Sequence, residues 1–267
     1  MLTLGFIGTG NMGGALAQAA AKNENNRLLL ANRHPEKARR LRENIGGELT
    51  DSRGAAADAD YIFLGVKPQM LETLFGQIRE TLSARSDRFV LVSMAAGTSI
   101  EKVQRLAGGD YPVIRIMPNT PASIGEGMIL YACSDNVTPE EKQIFLNAMA
   151  AAGRFSPLEE KLIDAGSAVS GCGPAFVDLF IEALADGGVA CGLPRAKALE
   201  FAAQMTAGSA RLILESGKHP GELKDAVCSP GGSTIQGVRV LEEQGFRGAV
   251  MDAVLAAYDR TKEMGKG

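Results

Sequence analysis

The residues best suited to chemistry stand near the start of the chain, where Gly8-Thr9-Gly10-Asn11-Met12-Gly13 follows directly on an apolar run that includes Ile7. Glycines at this spacing between a strand and a helix do different things. Gly8 makes a tight turn, Gly10 lets the backbone approach a pyrophosphate, and Gly13 lets the helix lie close to the strand. The helix start then offers free N–H groups and a positive dipole end. The pattern alone is a weak signal, but here a strand precedes it, a helix follows it and a second strand comes next. About 20 residues past the glycines, where an acidic residue would accept from a ribose 2′-hydroxyl, the chain carries Asn32 and Arg33. A carboxylate there would repel a 2′-phosphate, whereas arginine can pair with it and asparagine can donate to it. The site is therefore expected to prefer NADP(H), with NAD(H) as the alternative. Against this stands the plainer reading of Arg33 as a solvated charge after a strand.

Two further loops fall where strand ends should meet a dinucleotide: Gly65-Val66-Lys67-Pro68 and Ser93-Met94-Ala95-Ala96-Gly97. Ligands bind outside the carboxyl ends of parallel strands, so these loops are expected to line the nicotinamide half. Lys67 could act as an acid, but serves equally well as a loop residue or phosphate contact. Far downstream, Ser229-Pro230-Gly231-Gly232-Ser233-Thr234 opens a helical run. Its backbone N–H groups could hold a carboxylate. The competing reading is a glycine-rich turn in which Ser233 or Thr234 is only an N-cap. Residue types alone leave the two level.

Other chemistries find less support. The only histidines are His34, at the adenosine end, and His219. Asp178, Glu182 and Asp186 recur at helical spacing, which suits a solvated or interface stripe better than an acid/base pair. Cys133, Cys172, Cys191 and Cys228 form no CxxC pair, so neither disulfides nor a metal site is expected. A net charge of −3 with mixed signs gives no reason to expect nucleic acid, and 5% aromatics suit helix packing more than base stacking. With no signal-like segment and no apolar run of roughly 18 residues, the chain is expected to be cytoplasmic and free of the membrane. The expected ligand is a small molecule.

The elements that must position these residues alternate. Apolar runs at 4–8, 27–31, 61–66, 89–93 and 112–117 predict buried parallel strands, with amphipathic helices at 15–23, 35–44, 70–82 and 100–106 between them. A further strand at 127–133 and a helix at 139–151 would close this half. The rhythm implies an N-terminal Rossmann doubly wound parallel sheet. Beyond about 157 the spacing turns helical, predicting helices at 159–167, 174–191, 195–216, 220–227, 234–244 and 246–262. The expected domains are 1–157, dinucleotide-binding, and 158–267, all-helical, with the boundary between 153 and 165.

With these segments in place, the chain resembles the pyrroline-5-carboxylate reductase family from end to end. The resemblance rests on GFIGTGNMG (5–13), GVKP (65–68), SMAAGT (93–98), IRIMPNTPA (114–122), SGCGPAF (170–176) and SPGGSTIQG (229–237). It implies reduction of the cyclic imine 1-pyrroline-5-carboxylate to proline with NADPH or NADH, the final step of proline synthesis. It implies that Ser229 through Thr234 form the substrate loop, with amides of Gly231, Gly232 and Ser233 on the carboxylate. Thr234 matches the threonine whose hydroxyl contacts the ring nitrogen, and is the catalytic candidate. Around the dinucleotide it implies Ile7, Gly8, Thr9, Gly10, Asn11 and Met12, then Asn32, Arg33 and, more loosely, Ser52. It adds Val66, Lys67, Pro68, Ala95, Ala96 and Gly97, with Asn119 and Thr120 near the nicotinamide. It also implies a homodimer, or an assembly of dimers, whose interlocked helical domains share each site. Gly65 departs from a common alanine and Ser233 from alanine or threonine. A competing enzyme class, the 3-hydroxy-acid dehydrogenases, needs a lysine after a glycine-rich helix start, and the run from Gly173 to Asp178 has none. A non-catalytic NADP sensor would leave the hydroxyl-rich loop unexplained.

Overall fold

A computed structural model describes residues 1–265. Strands β1 (Leu2–Ile7), β2 (Asn26–Ala31), β3 (Glu48–Leu49), β4 (Tyr61–Leu64), β5 (Val90–Ser93), β6 (Val113–Met117), β7 (Gly127–Cys133) and β8 (Gly153–Pro157) form one sheet in the order β3-β2-β1-β4-β5-β6-β7-β8. All neighbours are parallel except β6 and β7. Helices α1 (Asn11–Ala21), α2 (Pro35–Ile45), α3 (Ser52–Asp58), α4 (Leu71–Ala84), α5 (Ile100–Ala107), α6 (Pro139–Ala148) and α7 (Ile163–Ser170) complete this part. The doubly wound Rossmann arrangement predicted from the alternating runs is the one observed.

Burial on both faces explains why the strands are continuously apolar. Side chains alternate across each strand. In β4, Tyr61 and Phe63 enter a core with α1, α2 and α6, while Ile62 and Leu64 enter a second core with α4 and α5. Phe6 stacks on Phe63 with ring centroids 4.3 Å apart in the first of these. Strands β3 and β8 and helix α3 escape the apolar pattern. Strand β3 is two exposed residues, β8 carries arginine and proline, and α3 reads Ser-Arg-Gly-Ala-Ala-Ala-Asp. Helix α3 stays close because β1 has glycine beneath it, where a Cβ on Gly5 would stand 2.8 Å from that of Ala59.

The strand order reverses between β1 and β4, and there ligands dock on such sheets. Register pairs Ile7 with Ala31 and with Leu64, and Leu64 with Ser93. Gly8, Asn32, Gly65 and Met94 therefore leave the sheet side by side. Behind β6, the buried Arg115 pairs with Glu160 at 3.3 Å and Asp164 at 2.5 Å, and Glu160 also accepts the Ile100 N–H at 2.6 Å. These bonds tie the entry to α7 onto the sheet.

Met1–Cys172, with the end of the last helix from Ala257, forms one compact unit, and Gly173–Ala256 forms another. Helix α7 goes with the sheet because Ile163 is buried in its core. The second unit holds α8 (Gly173–Ala190), α9 (Arg195–Ser216), α10 (Pro220–Val227), α11 (Ser233–Glu243) and most of α12 (Phe246–Gly265). Helices α8 and α9 meet through small residues, and a Cβ on Gly188 would stand 3.2 Å from that of Ala198. Ala185, Ala198 and Ala202 are the buried residues of this unit, whereas Leu179, Phe201, Leu214, Met251 and Leu255 are each more than half exposed. The helical stretch Glu160–Ala190 is long and apolar enough, by length and composition, to cross a membrane. Its alanines, glycines and scattered carboxylates hide that run from a search for unbroken large apolar residues.

Candidate active site

Three backbones meet at the end of β1. Gly8 has φ +104°, and a Cβ on it would stand 2.4 Å from the Gly65 carbonyl oxygen. One on Gly13 would stand 2.0 Å from the Gly8 carbonyl oxygen, and one on Gly65 would stand 2.3 Å from the same atom. Glycine is what lets β1, α1 and the loop after β4 cross this closely. Gly10 is different, because nothing lies within 4 Å of its Cβ position. It caps α1 without a side-chain bond, and no acidic residue occupies the first turn. The first amides of α1 thus lack side-chain partners, and the dipole end is uncompensated, conditions that favour a phosphate. Thr9 adds an orphan group: its Oγ1 is buried with no hydrogen-bond partner. Such a hydroxyl costs about 1–3 kcal/mol unless something bonds it. The open Gly10, the free amides and the orphaned hydroxyl together fit a dinucleotide pyrophosphate.

The Thr9 N–H donates to Oδ1 of Asn32 at 3.0 Å, and Nδ2 of Asn32 donates to the His34 carbonyl at 2.9 Å. The Asn32 amide thus braces the turn and keeps one N–H for a ligand. Arg33 is exposed and has no ion pair among the described residues. Beside the turn runs an open groove of about 380 Å³ whose walls include Thr9, Gly10, Asn11, Lys37, Arg40 and Ser123. Lys37 and Arg40 are absent from the sequence-based candidates. Their i, i+3 spacing next to the buried Leu41 was the available signal, yet basic residues on an amphipathic helix read first as solvated charge. Ser52 lies further out, half-buried as the first residue of α3.

On the other side of β1, the Ile7 carbonyl accepts from the Gly65 N–H at 2.8 Å and the Lys67 carbonyl from the Met70 N–H at 2.8 Å. The second bond closes the short turn Pro68–Met70. Val66 and Pro68 are half-buried and the Lys67 side chain is exposed. In the loop after β5, Ala95 is buried and Gly97 has φ +65°. A Cβ on Gly97 would stand 3.0 Å from the Gly265 nitrogen, so the last turn of α12 lies against this loop. Asn119 is bonded at both ends, with Nδ2 donating to the Ser170 carbonyl and Oδ1 accepting from the Met128 N–H, each at 2.9 Å. It braces the loop after β6 against β7 and α7.

Within the helical unit, the Gly232 N–H donates to the Ser229 carbonyl at 3.0 Å and Gly231 has φ +71°. The cap of α11 is Gly232, with no side-chain bond. Ser233 and Thr234 are therefore the first helical residues rather than its caps, and their hydroxyls have no partner among the described residues. An exposed, uncapped helix start of this kind suits a carboxylate. His219 is itself a cap, its Nδ1 accepting from the Gly221 N–H at 3.1 Å. Asp186 pairs with Arg195 at 2.5 Å, while Asp178 and Glu182 are exposed. Among the described residues, no three His, Cys, Asp or Glu side chains gather as metal ligands would.

The chain is similar to known proteins over its whole length. Residues 160–264 match the family described as "Pyrroline-5-carboxylate reductase dimerisation", and residues 3–97 match "NADP oxidoreductase coenzyme F420-dependent". Pyrroline-5-carboxylate reductase from Escherichia coli (strain K12) is 40% identical over 267 residues, covering 98% of each chain. The protein of that name from Glycine max is 40% identical over 266 residues, covering 98% of this chain and 96% of its own. A crystal structure of Plasmodium falciparum pyrroline carboxylate reductase with NADP bound superimposes with a TM-score of 0.88 at 33% identity. It covers 99% of this chain and 98% of that one.

Proposed function

The chain belongs to the pyrroline-5-carboxylate reductase family, and on that premise we propose how its residues share out the reaction. It is an NAD(P)H-dependent oxidoreductase that reduces 1-pyrroline-5-carboxylate to L-proline, the last step of proline biosynthesis. The observation that carries the division of labour is that the starts of α1 and α11 both lack a side-chain cap and both follow a glycine-rich turn, at α1 for a pyrophosphate and at α11 for a carboxylate.

When bound, the nicotinamide supplies the hydride that the C=N carbon receives. The chain binds and orients. The turn from Ile7 to Met12 holds the pyrophosphate, and the loops at 66–68 and 95–97, with Asn119 behind them, shape the nicotinamide half. Asn32 and Arg33 favour NADPH over NADH, since the end of β2 has no carboxylate to repel a 2′-phosphate. The amides of Gly231, Gly232 and Ser233 anchor the substrate carboxylate, and the Thr234 hydroxyl stands at the ring nitrogen, which ends protonated. Positioning is the main contribution, because the hard chemistry belongs to the cofactor. The homodimer shares each site between helical units, and four free thiols suit a reducing compartment such as the cytoplasm.

The test is NADPH consumption by the purified protein with pyrroline-5-carboxylate, against 3-hydroxyisobutyrate as control. Turnover of the imine alone is expected. Cofactor binding without imine reduction would favour a sensor instead.

A further inference from the structure

We propose that the last turn of α12 holds the loop from Ala95 to Gly97 in place, making Gly265 and Thr261 positioning residues for hydride transfer that act through that loop. This rests on the reading of the loop as part of the nicotinamide wall, and deepens it by naming what supports the wall.

The loop has little of its own to fix it. Ala95-Ala96-Gly97 offers only methyl groups, and Gly97, at φ +65°, is of the residue type with the freest backbone. Inward, Ala95 is 2% exposed and joins the core that holds Ile100. The Thr98 N–H reaches the Ala95 carbonyl only at 3.3 Å, a long bond. The other contact is with α12. A Cβ on Gly97 would stand 3.0 Å from the Gly265 nitrogen and 3.1 Å from the Thr261 carbonyl oxygen. The approach is mutual, because a Cβ on Gly265 would stand 2.7 Å from the Gly97 carbonyl oxygen. Backbone meets backbone here, and a methyl group on Gly265 would force the two apart.

The end of α12 is shaped for this approach. From Ala257 onward the helix belongs to the sheet unit. Within that stretch Ala257, Tyr258, Thr261 and Gly265 are half-buried, and Asp259, Arg260, Lys262, Glu263 and Met264 are exposed. Ala257, Thr261 and Gly265 recur at i, i+4 and i+8, so they share one face of small residues. Thr261 turns its hydroxyl back onto the Ala257 carbonyl at 2.9 Å, and the polar group is satisfied within the helix.

Hydride transfer tolerates little error, since a misplacement of about 1 Å can cost about a hundredfold in rate. A loop held by the core on one side and by α12 on the other keeps its wall of the nicotinamide site within that tolerance. Loss of the α12 support relaxes this wall and leaves the substrate loop and the pyrophosphate turn as they are.

The experiment compares the full-length wild type with Gly265→Ala and with Glu263→Ala, melting temperatures serving as the check on folding. Glu263 lies on the same turn, and its ion pair with Arg260 is exposed and worth little. Dissociation constants are measured for NADPH and for 2′,5′-ADP, which lacks the nicotinamide. To these are added kcat, the KM for pyrroline-5-carboxylate and hydrogen exchange over residues 94–99. Gly265→Ala should lower kcat at least about tenfold. It should weaken NADPH about threefold and speed exchange across the loop. Its KM for the imine and its affinity for 2′,5′-ADP should stay within about twofold of wild type. Glu263→Ala should match the wild type throughout. Equal weakening of both nucleotides in Gly265→Ala, or an equal loss of kcat in Glu263→Ala, would show general loosening and overturn the assignment. Wild-type kcat and loop exchange in Gly265→Ala would overturn this proposal alone, where NADPH protects residues 94–99 of the wild type and 2′,5′-ADP does not. Absence of that protection would take the loop away from the nicotinamide and remove the underlying reading as well.

Discussion

The backbone N–H of Thr9 is hydrogen-bonded to Oδ1 of Asn32 at 3.0 Å, across the boundary between β1 and β2. Pyrophosphate turn and ribose end are thus one hydrogen-bonded piece. Asn32→Asp keeps the acceptor for Thr9 but puts a negative charge where the 2′-phosphate would lie. The ratio of NADPH to NADH dissociation constants should rise at least about tenfold, as expected for a like charge at close range. Nicotinamide fluorescence titration reads both constants, and an unchanged ratio would count against Asn32 as a discriminating residue.

Two glycines of the turn should respond differently to one methyl group. Gly10 sits in extended backbone at φ −70°, with open space at its Cβ position. Gly10→Ala should leave the melting temperature nearly unchanged and lose cofactor binding by steric exclusion. Gly13→Ala drives a Cβ to 2.0 Å from the Gly8 carbonyl oxygen. It should destabilise the fold by about 1–3 kcal/mol through overpacking. Thermal melts with and without NADPH separate the two effects, and a stable, cofactor-binding Gly13→Ala would refute the close crossing.

Thr234→Ala should lower turnover at least about tenfold, or roughly 1.4 kcal/mol of barrier. The hydroxyl is exposed and unpartnered in the chain, so stability should hold. Thr234→Ser should retain most of the rate. Near-native turnover in the alanine variant would take Thr234 out of the mechanism.

Glu141 links pH to stability. Its Oε1 accepts from Arg88 Nε at 2.6 Å and its Oε2 from the Thr138 N–H at 2.8 Å, completing a capping box at the start of α6. The bond from Arg88, first of all, holds this carboxyl below the usual glutamate range. A depressed folded value means the stabilisation is fully present above the unfolded value of about 4.3 and fades as pH falls through the folded one. Glu141→Gln keeps the capping box but loses the charge that pairs with Arg88, and should therefore cost up to about 1 kcal/mol at neutral pH and flatten the acid limb of the stability curve. Denaturant melts across the acid range measure both, and identical curves for variant and wild type would dismiss the linkage.

The nucleotide half was legible where burial on both faces makes strands uniformly apolar, as in β1, β4 and β5. It was not legible where structure comes from small residues or side-chain bonds. Helix α3 has no apolar stripe and is placed by Gly5 beneath it. Helix α7 sounds like part of the helical half, but Ile163 and the Arg115 ion pairs bind it to the sheet. For the site, the glycine spacing foretold the turn, since backbone approach leaves no other residue type. Lys37 and Arg40 stayed hidden, because a basic residue turned into a groove and one turned into water are spelled alike. The start of α11 was ambiguous for a similar reason: serine and threonine cap helices as readily as they line sites, and the structure gives the cap position to Gly232.

The three buried alanines of the helical unit bear on how the chain becomes a protein at all. A bundle that shields only Ala185, Ala198 and Ala202 by itself has too little apolar burial to stand alone. The match of residues 160–264 to a dimerisation family supplies a second copy to complete that core. Acquisition of the native state is then a bimolecular event, and its last phase should quicken as chains become more numerous. Scarcity becomes a form of instability, so that dilution does what heat or urea does elsewhere.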